Sequence, residues 1–160
     1  MSISLPLLQQ REIEANAIAP LFRAIIAEVG ESRAREILAG VIHQLAHQSG
    51  CSAAFAAGGK ELTHLKQTIG KWSEGGALEL TVLQDDREVF EFHVTRCLFA
   101  EMYHRLGLTD LGPILSCGRD AAMIEGFNPD IAFSRTQTIM EGAAFCNFRY
   151  RIKNHGSEQG

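Results

Sequence analysis

No apolar run in this 160-residue chain approaches the ~20 consecutive residues needed to cross a bilayer. A transmembrane helix is therefore not expected. The opening residues, MSISLPLLQQREIEAN, show no basic stretch followed by an apolar core, so they do not read as a secretory signal. Positive charge is in deficit, with 15 Lys and Arg against 19 Asp and Glu. That balance argues against a nucleic-acid partner, which selects a basic face. Cysteine is scarce, with four in the chain and none in a Cys-x-x-Cys pair. This excludes a disulfide scaffold and makes a zinc finger or thioredoxin-like site a poor fit. Reduced thiols and a cytoplasmic location are the expectation. Internal repeats and long linkers are also lacking. Apolar content is ordinary for a globular protein, so residues 1–153 are expected to form one domain, followed by a loose polar tail over 154–160.

Patterning then gives the elements. From Pro6 to Val29 the apolar residues recur at helical spacing, with Pro20 expected to bend or break the helix. Gly30 closes it, and Glu31 to Gln48 form a second helix that CSAAFAAGG either prolongs or ends as a loop. Glu61 to Trp72 reads as a third. After Gly75-Gly76 the period changes to two. Leu78, Leu80 and Val82 form one half-buried strand, and Phe90, Phe92 and Val94 the greasy face of its hairpin partner. Leu98 to Leu106 is helical, Thr109 to Leu115 is a short helix interrupted at Pro113, and Cys117 to Glu125 is helical and ended by Gly126. Ile131 to Ile139 and Cys146 to Ile152 are the last strands. The predicted fold class is α+β: a four-stranded antiparallel sheet with N-terminal and inserted helices packed on one face.

The stretch from Cys97 to Tyr150 carries most of the chemically able residues. Three cysteines each have a carboxylate nearby: Cys97 with Glu101, Cys117 with Asp120, and Cys146 with Glu141. A thiol is a soft nucleophile and a carboxylate is a base. Cys97, Glu101 and His104 share one helix face by their spacing. They read as a nucleophile–base row, or as a buried cysteine beside surface polar groups. Cys117-Gly118-Arg119-Asp120 places a thiol at an expected helix N-terminus, where the helix dipole lowers its pKa, with Arg119 reinforcing the effect. Arg135 suits a carboxylate clamp, or pairs with a nearby Glu. Glu141-Gly142-Ala143-Ala144 sets small residues beside an acid, as a pocket wall requires. His43 and His47 lie one turn apart but lack a third ligand for a metal.

The segments CLFAEMYHRLGL, LGPILSCGRDAAMIEGFNPDI and SRTQTIMEGAAFCNFRYR resemble the L-2-amino-thiazoline-4-carboxylic acid hydrolase family. That resemblance implies ring-opening hydrolysis, in which water adds at the C=N carbon of a small cyclic amidine-like thiazoline carboxylate and gives an N-carbamoyl cysteine. The chain departs from the family pattern at Gly118, where Asn is common, and at Phe145 and Asn147, which flank Cys146 in place of His and Asp. The last strand also resembles that of 4-vinyl reductase-like small-ligand-binding domains, which implies an α+β fold with a pocket.

Residues and resemblance together lead to a hydrolase that opens a small cyclic C–N substrate bearing a carboxylate. Cys117 is the nucleophile or a polarising thiolate. Asp120 and Glu101 are acid and base candidates, with Glu141 as an alternative. Substrate-binding candidates are Cys97, Arg119, Asn128, Arg135, Thr138 and Cys146, with Arg135 holding the substrate carboxylate. No cofactor is expected. A small molecule is the expected partner, without nucleic acid or membrane, and homo-oligomer formation is left open. The departures around Cys146 motivate a second reading, a non-catalytic small-ligand-binding or sensor domain on the same scaffold. A third is a metal-dependent variant with Cys97, Cys117, Cys146 and nearby carboxylates as ligands.

Overall fold

The computed structural model describes residues 5–154. Residues 155–160, most of the expected polar tail, lie outside the described residues. Helices α1 (Leu7–Val29) and α2 (Glu31–Ala57) are separated by Gly30 alone. Its φ of +82° is a conformation that a side chain would strain. The two helices meet through Ala15, Ala19 and Phe22 on one side and Ala34 and Ile42 on the other. Pro20 does not break α1, which runs on to Val29. Pro20 and Asn16 are both exposed, so water can satisfy the carbonyl that loses its backbone partner. The open question over CSAAFAAGG resolves as helix. It ends in a paired closure, with Gly58 N–H on the Phe55 carbonyl at 3.1 Å and Gly59 N–H on the Ala54 carbonyl at 3.2 Å.

Next come α3 (Leu62–Trp72), β1 (Leu78–Asp85), β2 (Val89–Cys97) and α4 (Leu98–Arg105). A π-helical turn, Pro113–Cys117, leads through Gly118 into α5 (Arg119–Phe127). The chain closes with β3 (Ile131–Ser134), a 3₁₀ turn at Ile139–Glu141 and β4 (Cys146–Ile152). The fold is α+β, with one antiparallel sheet in the order β1-β2-β4-β3.

Alternation decides the sheet's faces. Phe90, Phe92, Val94, Cys146, Phe148 and Tyr150 all point into a core shared with Leu65 and Ile69 of α3 and Ile124 and Phe127 of α5. Aromatic rings carry much of that contact: Phe92 stacks on Phe148 at 5.0 Å and Phe133 on Tyr150 at 5.2 Å. A second core joins α1, α2 and α4 around Phe22, Ile42, Met102 and Tyr103.

Two strands differ from expectation. β1 is an edge strand with two register shifts, and Val82 and Leu83 are exposed. Its first half packs on the core through Leu78 and Leu80, as spaced, but Val82 does not follow. Twisting at bulges is a common way for an edge strand to leave the core. β3 stops at Ser134 instead of continuing to Ile139, so Arg135 to Thr138 fall in an extended link without strand pairing. Gly126 does not end α5 but lies inside it, where α5 crosses α2. A Cβ there would sit 2.0 Å from the His47 carbonyl oxygen, and one on Gly50 would sit 2.0 Å from that of Met123. The two backbones touch, and only glycine permits it.

Candidate functional site

A cavity of about 750 Å³ opens between α1, α2, α5 and the inner face of the sheet. Its apolar wall includes Leu45, Ala53, Trp72, Phe99, Met123 and Phe148. Sequence-distant thiols meet there. β2 ends at Cys97, whose Sγ accepts the Ala100 N–H at 3.4 Å and so caps α4. β4 begins at Cys146, whose Sγ accepts the Ile139 N–H at 3.2 Å. Cys117 arrives from the π turn, in which the Gly118 N–H reaches the Pro113 carbonyl at 2.7 Å. All three line the cavity, together with Arg119, Asp120 and Arg135.

The Arg135 guanidinium donates one arm to Asp120 Oδ2 and the other to the Cys117 carbonyl at 3.1 Å. It also packs against the Phe133 and Phe148 rings, 5.7 and 5.3 Å from their centroids. Phe133 lies in the strand from which Arg135 emerges, one residue before its end at Ser134, so the short β3 aims the side chain. Arg135 is thus committed to an ion pair, as one of its two expected roles had it, but with Asp120 and not with a Glu. Burial pushes the Asp120 carboxyl up to about 6, against the pull of Arg135.

The thiols are less acidic than expected. Cys117 does not open α5. It closes the π turn, two residues before α5 begins. Burial, then the Asp120 charge, pushes its thiol up to about 12, with Arg135 opposing. Cys97 is pushed to about 11, chiefly by burial, and Cys146 is also raised by burial. The dipole effect expected for Cys117 is overridden by desolvation, so none of the three is a thiolate near neutral pH.

Four predicted site residues lie elsewhere. Glu101 shares a helix face with His104, but that face borders a separate shallow hollow. Its carboxylate binds the Arg96 Nε–H at 2.8 Å on the surface, and that bond holds its pKa below the usual range. Glu141 is exposed and accepts the Thr138 hydroxyl at 2.8 Å, while Thr138 Oγ1 accepts the Glu141 N–H at 3.2 Å. That pair caps the 3₁₀ turn and forms no pocket wall. Asn128 holds the corner after α5, donating to the Lys60 carbonyl at 2.9 Å and accepting the Asp130 N–H at 2.9 Å. These acids and amides satisfy local backbone, which is the commonest use of short polar side chains at turns.

The sequence reading found α1 as a helix but missed its part in the site. Arg119 does not fold back on Cys117. It donates to the Leu115 carbonyl at 2.6 Å and to Glu14 Oε2 at 2.9 Å. Arg11 grips the same glutamate at 2.8 and 2.9 Å. Both α1 residues line the cavity. The available signal was the i, i+3 spacing of Arg11 and Glu14, which by itself reads as an ordinary surface pair. The departures at Phe145 and Asn147 lie away from the cavity. Phe145 stacks on His93 at 4.2 Å, and Asn147 Oδ1 accepts the Thr136 and Gln137 N–H groups at 3.0 Å. Gly118 abuts the Ile114 carbonyl and does not line the cavity either. Among the described residues, no three His, Cys, Asp or Glu side chains are grouped to hold a metal, so the metal-dependent arrangement is not formed. None of the described helices is long and apolar enough to cross a membrane.

Residues 10–150 match the family described as L-2-amino-thiazoline-4-carboxylic acid hydrolase. The chain belongs to that family. The match takes in α1 and its Arg11 and Glu14, far beyond the C-terminal motifs that suggested the resemblance. No curated protein matches the chain. Among solved structures, the chain is similar to the crystal structure of the phenol-responsive sensory domain of the transcription activator PoxR with phenol. The identity is 15% and the TM-score 0.48, with 85% of this chain and 73% of that one covered.

Proposed function

We propose that this member of the L-2-amino-thiazoline-4-carboxylic acid hydrolase family hydrolyses a small cyclic C–N substrate of the thiazoline or amidine type, with Asp120 as general base. The observation that carries the reading is the setting of Asp120: a carboxylate in the cavity wall, held by Arg135 and raised to about 6. A base of that pKa is ionised at neutral pH yet basic enough to take a proton from water. Arg135 fixes its orientation. Water bound beside Asp120 gives its proton to the carboxylate while its oxygen bonds to the amidine carbon. The C=N electron pair moves to the ring nitrogen, which takes that proton from Asp120. The bond from that carbon to the ring heteroatom then breaks and the heteroatom leaves with the electron pair, while Asp120 takes the remaining proton of the added hydroxyl and passes it to the heteroatom, so that a carbonyl remains. Cys117, held protonated, acts as a hydrogen-bond donor on the substrate and not as a preformed thiolate nucleophile.

The test is turnover of 2-amino-thiazoline-4-carboxylate and related cyclic amidine carboxylates by wild type, Asp120→Asn and Cys117→Ala. Asp120→Asn should lose ~10²–10⁴-fold in kcat, the usual worth of a placed base. Cys117→Ala should lose much less. Full activity in Asp120→Asn rejects the mechanism. A second reading, a non-catalytic ligand-binding domain, is favoured by a different fact: every charged side chain of the cavity wall already has an ionic partner. Stoichiometric binding of these compounds with no product would support it.

A further inference from the structure

The cavity's charges do not balance. Among the described residues its wall holds the cations Arg11, Arg119 and Arg135 against the anions Glu14 and Asp120. Arg135 and Asp120 neutralise one another. Glu14 is left to serve two guanidinium groups, Arg11 at 2.8 Å and Arg119 at 2.9 Å. Both cations are deep, with side chains only 15% and 10% exposed, while the glutamate they share is 38% exposed. A buried cation needs compensation, and one carboxylate cannot fully compensate two. The strain appears in Arg119, whose pKa is drawn below its ordinary value first by burial and next by the Arg11 charge. Beneath them the Tyr103 hydroxyl is fully buried without a hydrogen-bond partner, within electrostatic reach of Arg11, Arg119 and Glu14.

The geometry points to the Arg11–Glu14–Arg119 cluster as the subsite for the carboxylate of a monoanionic ligand, whose apolar body fills the rest of the cavity. This rests on the reading of the cavity as the substrate site, and it moves carboxylate recognition from Arg135 to α1 and α5. One excess positive charge fits a monoanion; a dianion such as a phosphate monoester would leave the site negative. Two guanidinium groups supply the planar donor pairs that a carboxylate accepts. The apolar body follows from size and lining. At about 750 Å³ the cavity holds roughly 25 waters at ~30 Å³ each, far more than an aminothiazoline carboxylate displaces. Its wall of Trp72, Phe99, Phe148 and aliphatic side chains rewards burial of a ring or chain.

Calorimetric titration of the full chain tests this with 3-phenylpropionate, its neutral isostere 3-phenylpropionamide, and acetate. The aromatic acid should bind about tenfold or more tighter than the amide, as a charge-assisted hydrogen bond is worth, and tighter than acetate. Arg11→Gln should weaken the acid by about tenfold and leave the amide unchanged. Glu14→Gln should tighten the acid, because a competing carboxylate is gone. Arg11 is chosen because replacing the deeper Arg119 risks the fold, and circular dichroism checks each variant. Equal binding of acid and amide overturns the subsite, as do absence of binding by either and parallel weakening of both in Arg11→Gln. Acetate binding as well as 3-phenylpropionate overturns the apolar body. The readout is binding, so it is separable from the hydrolase reading. Acid-selective binding without turnover of any cyclic amidine rejects the hydrolase alone. Turnover indifferent to a substrate carboxylate rejects the subsite alone.

Discussion

Asp120 and the three cavity thiols owe their properties to burial, and each effect has a measurable sign. A general base must be ionised, so activity should rise with pH through a midpoint near about 6 and lose that limb in Asp120→Asn. Stability moves the other way. A carboxyl free in the unfolded chain titrates near ~3.9, and Asp120 in the folded protein near about 6. Across that window the folded state holds the extra proton, so stability falls as pH rises, and the cost is complete above the folded value. Urea titrations at pH 4 and 7 should show this slope in wild type and not in Asp120→Asn. For the thiols, Cys51 is exposed, whereas Cys97, Cys117 and Cys146 are raised by burial. Iodoacetamide at pH 7.5 should label Cys51 well before the others by peptide mass spectrometry. First labelling of Cys117 would show that it is a thiolate after all. The pairing of each thiol with its neighbouring acid was legible as sequence, but Glu101 and Glu141 face away from their cysteines' cavity, because a helix face and a turn direct side chains by local geometry and not by proximity in the chain.

At the scale of elements, the crossing of α2 and α5 depends on the absence of side chains at Gly50 and Gly126. A methyl group at either would collide with carbonyl oxygens at 2.0 Å, and backbone cannot yield as a side-chain tip can. Gly126→Ala should cost about 2–3 kcal/mol, in the range of overpacked interiors. Gly40→Ala, in the same α2 with open space around it, should gain about 1 kcal/mol from helix propensity. Urea denaturation measures both, and equal effects would mean that the crossing is looser than described. The sequence marked Gly126 only as a helix stop, since a glycine that permits contact and one that ends a helix look alike without the partner in view. The strands were legible because alternation is a local signal: Phe90, Phe92 and Val94, then Cys146, Phe148 and Tyr150, fall inward as spaced. β1 keeps that rule at Leu78 and Leu80 and loses it at Val82, where a register shift follows on the sheet's edge.

Across the whole molecule, the cavity lies between a sheet-based core and α1, and α1 is the weaker wall. It buries Ala15, Ala19 and Phe22 while leaving Ile13, Leu21 and Val29 exposed. Its first turns supply Leu7, Arg11 and Glu14 to the cavity. Segments with few buried apolar contacts open at lower free energy. Native-state hydrogen exchange should therefore find α1 amides opening more readily than those of α5, and 3-phenylpropionate should slow α1 more than β3. Uniform exchange across helices, with or without ligand, would contradict this division.

What the sequence determined was periodic: the helices, the two strand pairs, the α+β class, and the spaced motifs that mark the family. Each depends on residues close in the chain, where backbone geometry alone relates side chains. The cavity, the commitment of Arg135 to Asp120, the protonated thiols and the sharing of Glu14 by Arg11 and Arg119 were decided by tertiary structure. Burial and ion pairing depend on which distant elements come to lie together, and a residue's neighbours in sequence carry no record of its dielectric surroundings or of the charge that α1 brings across the fold.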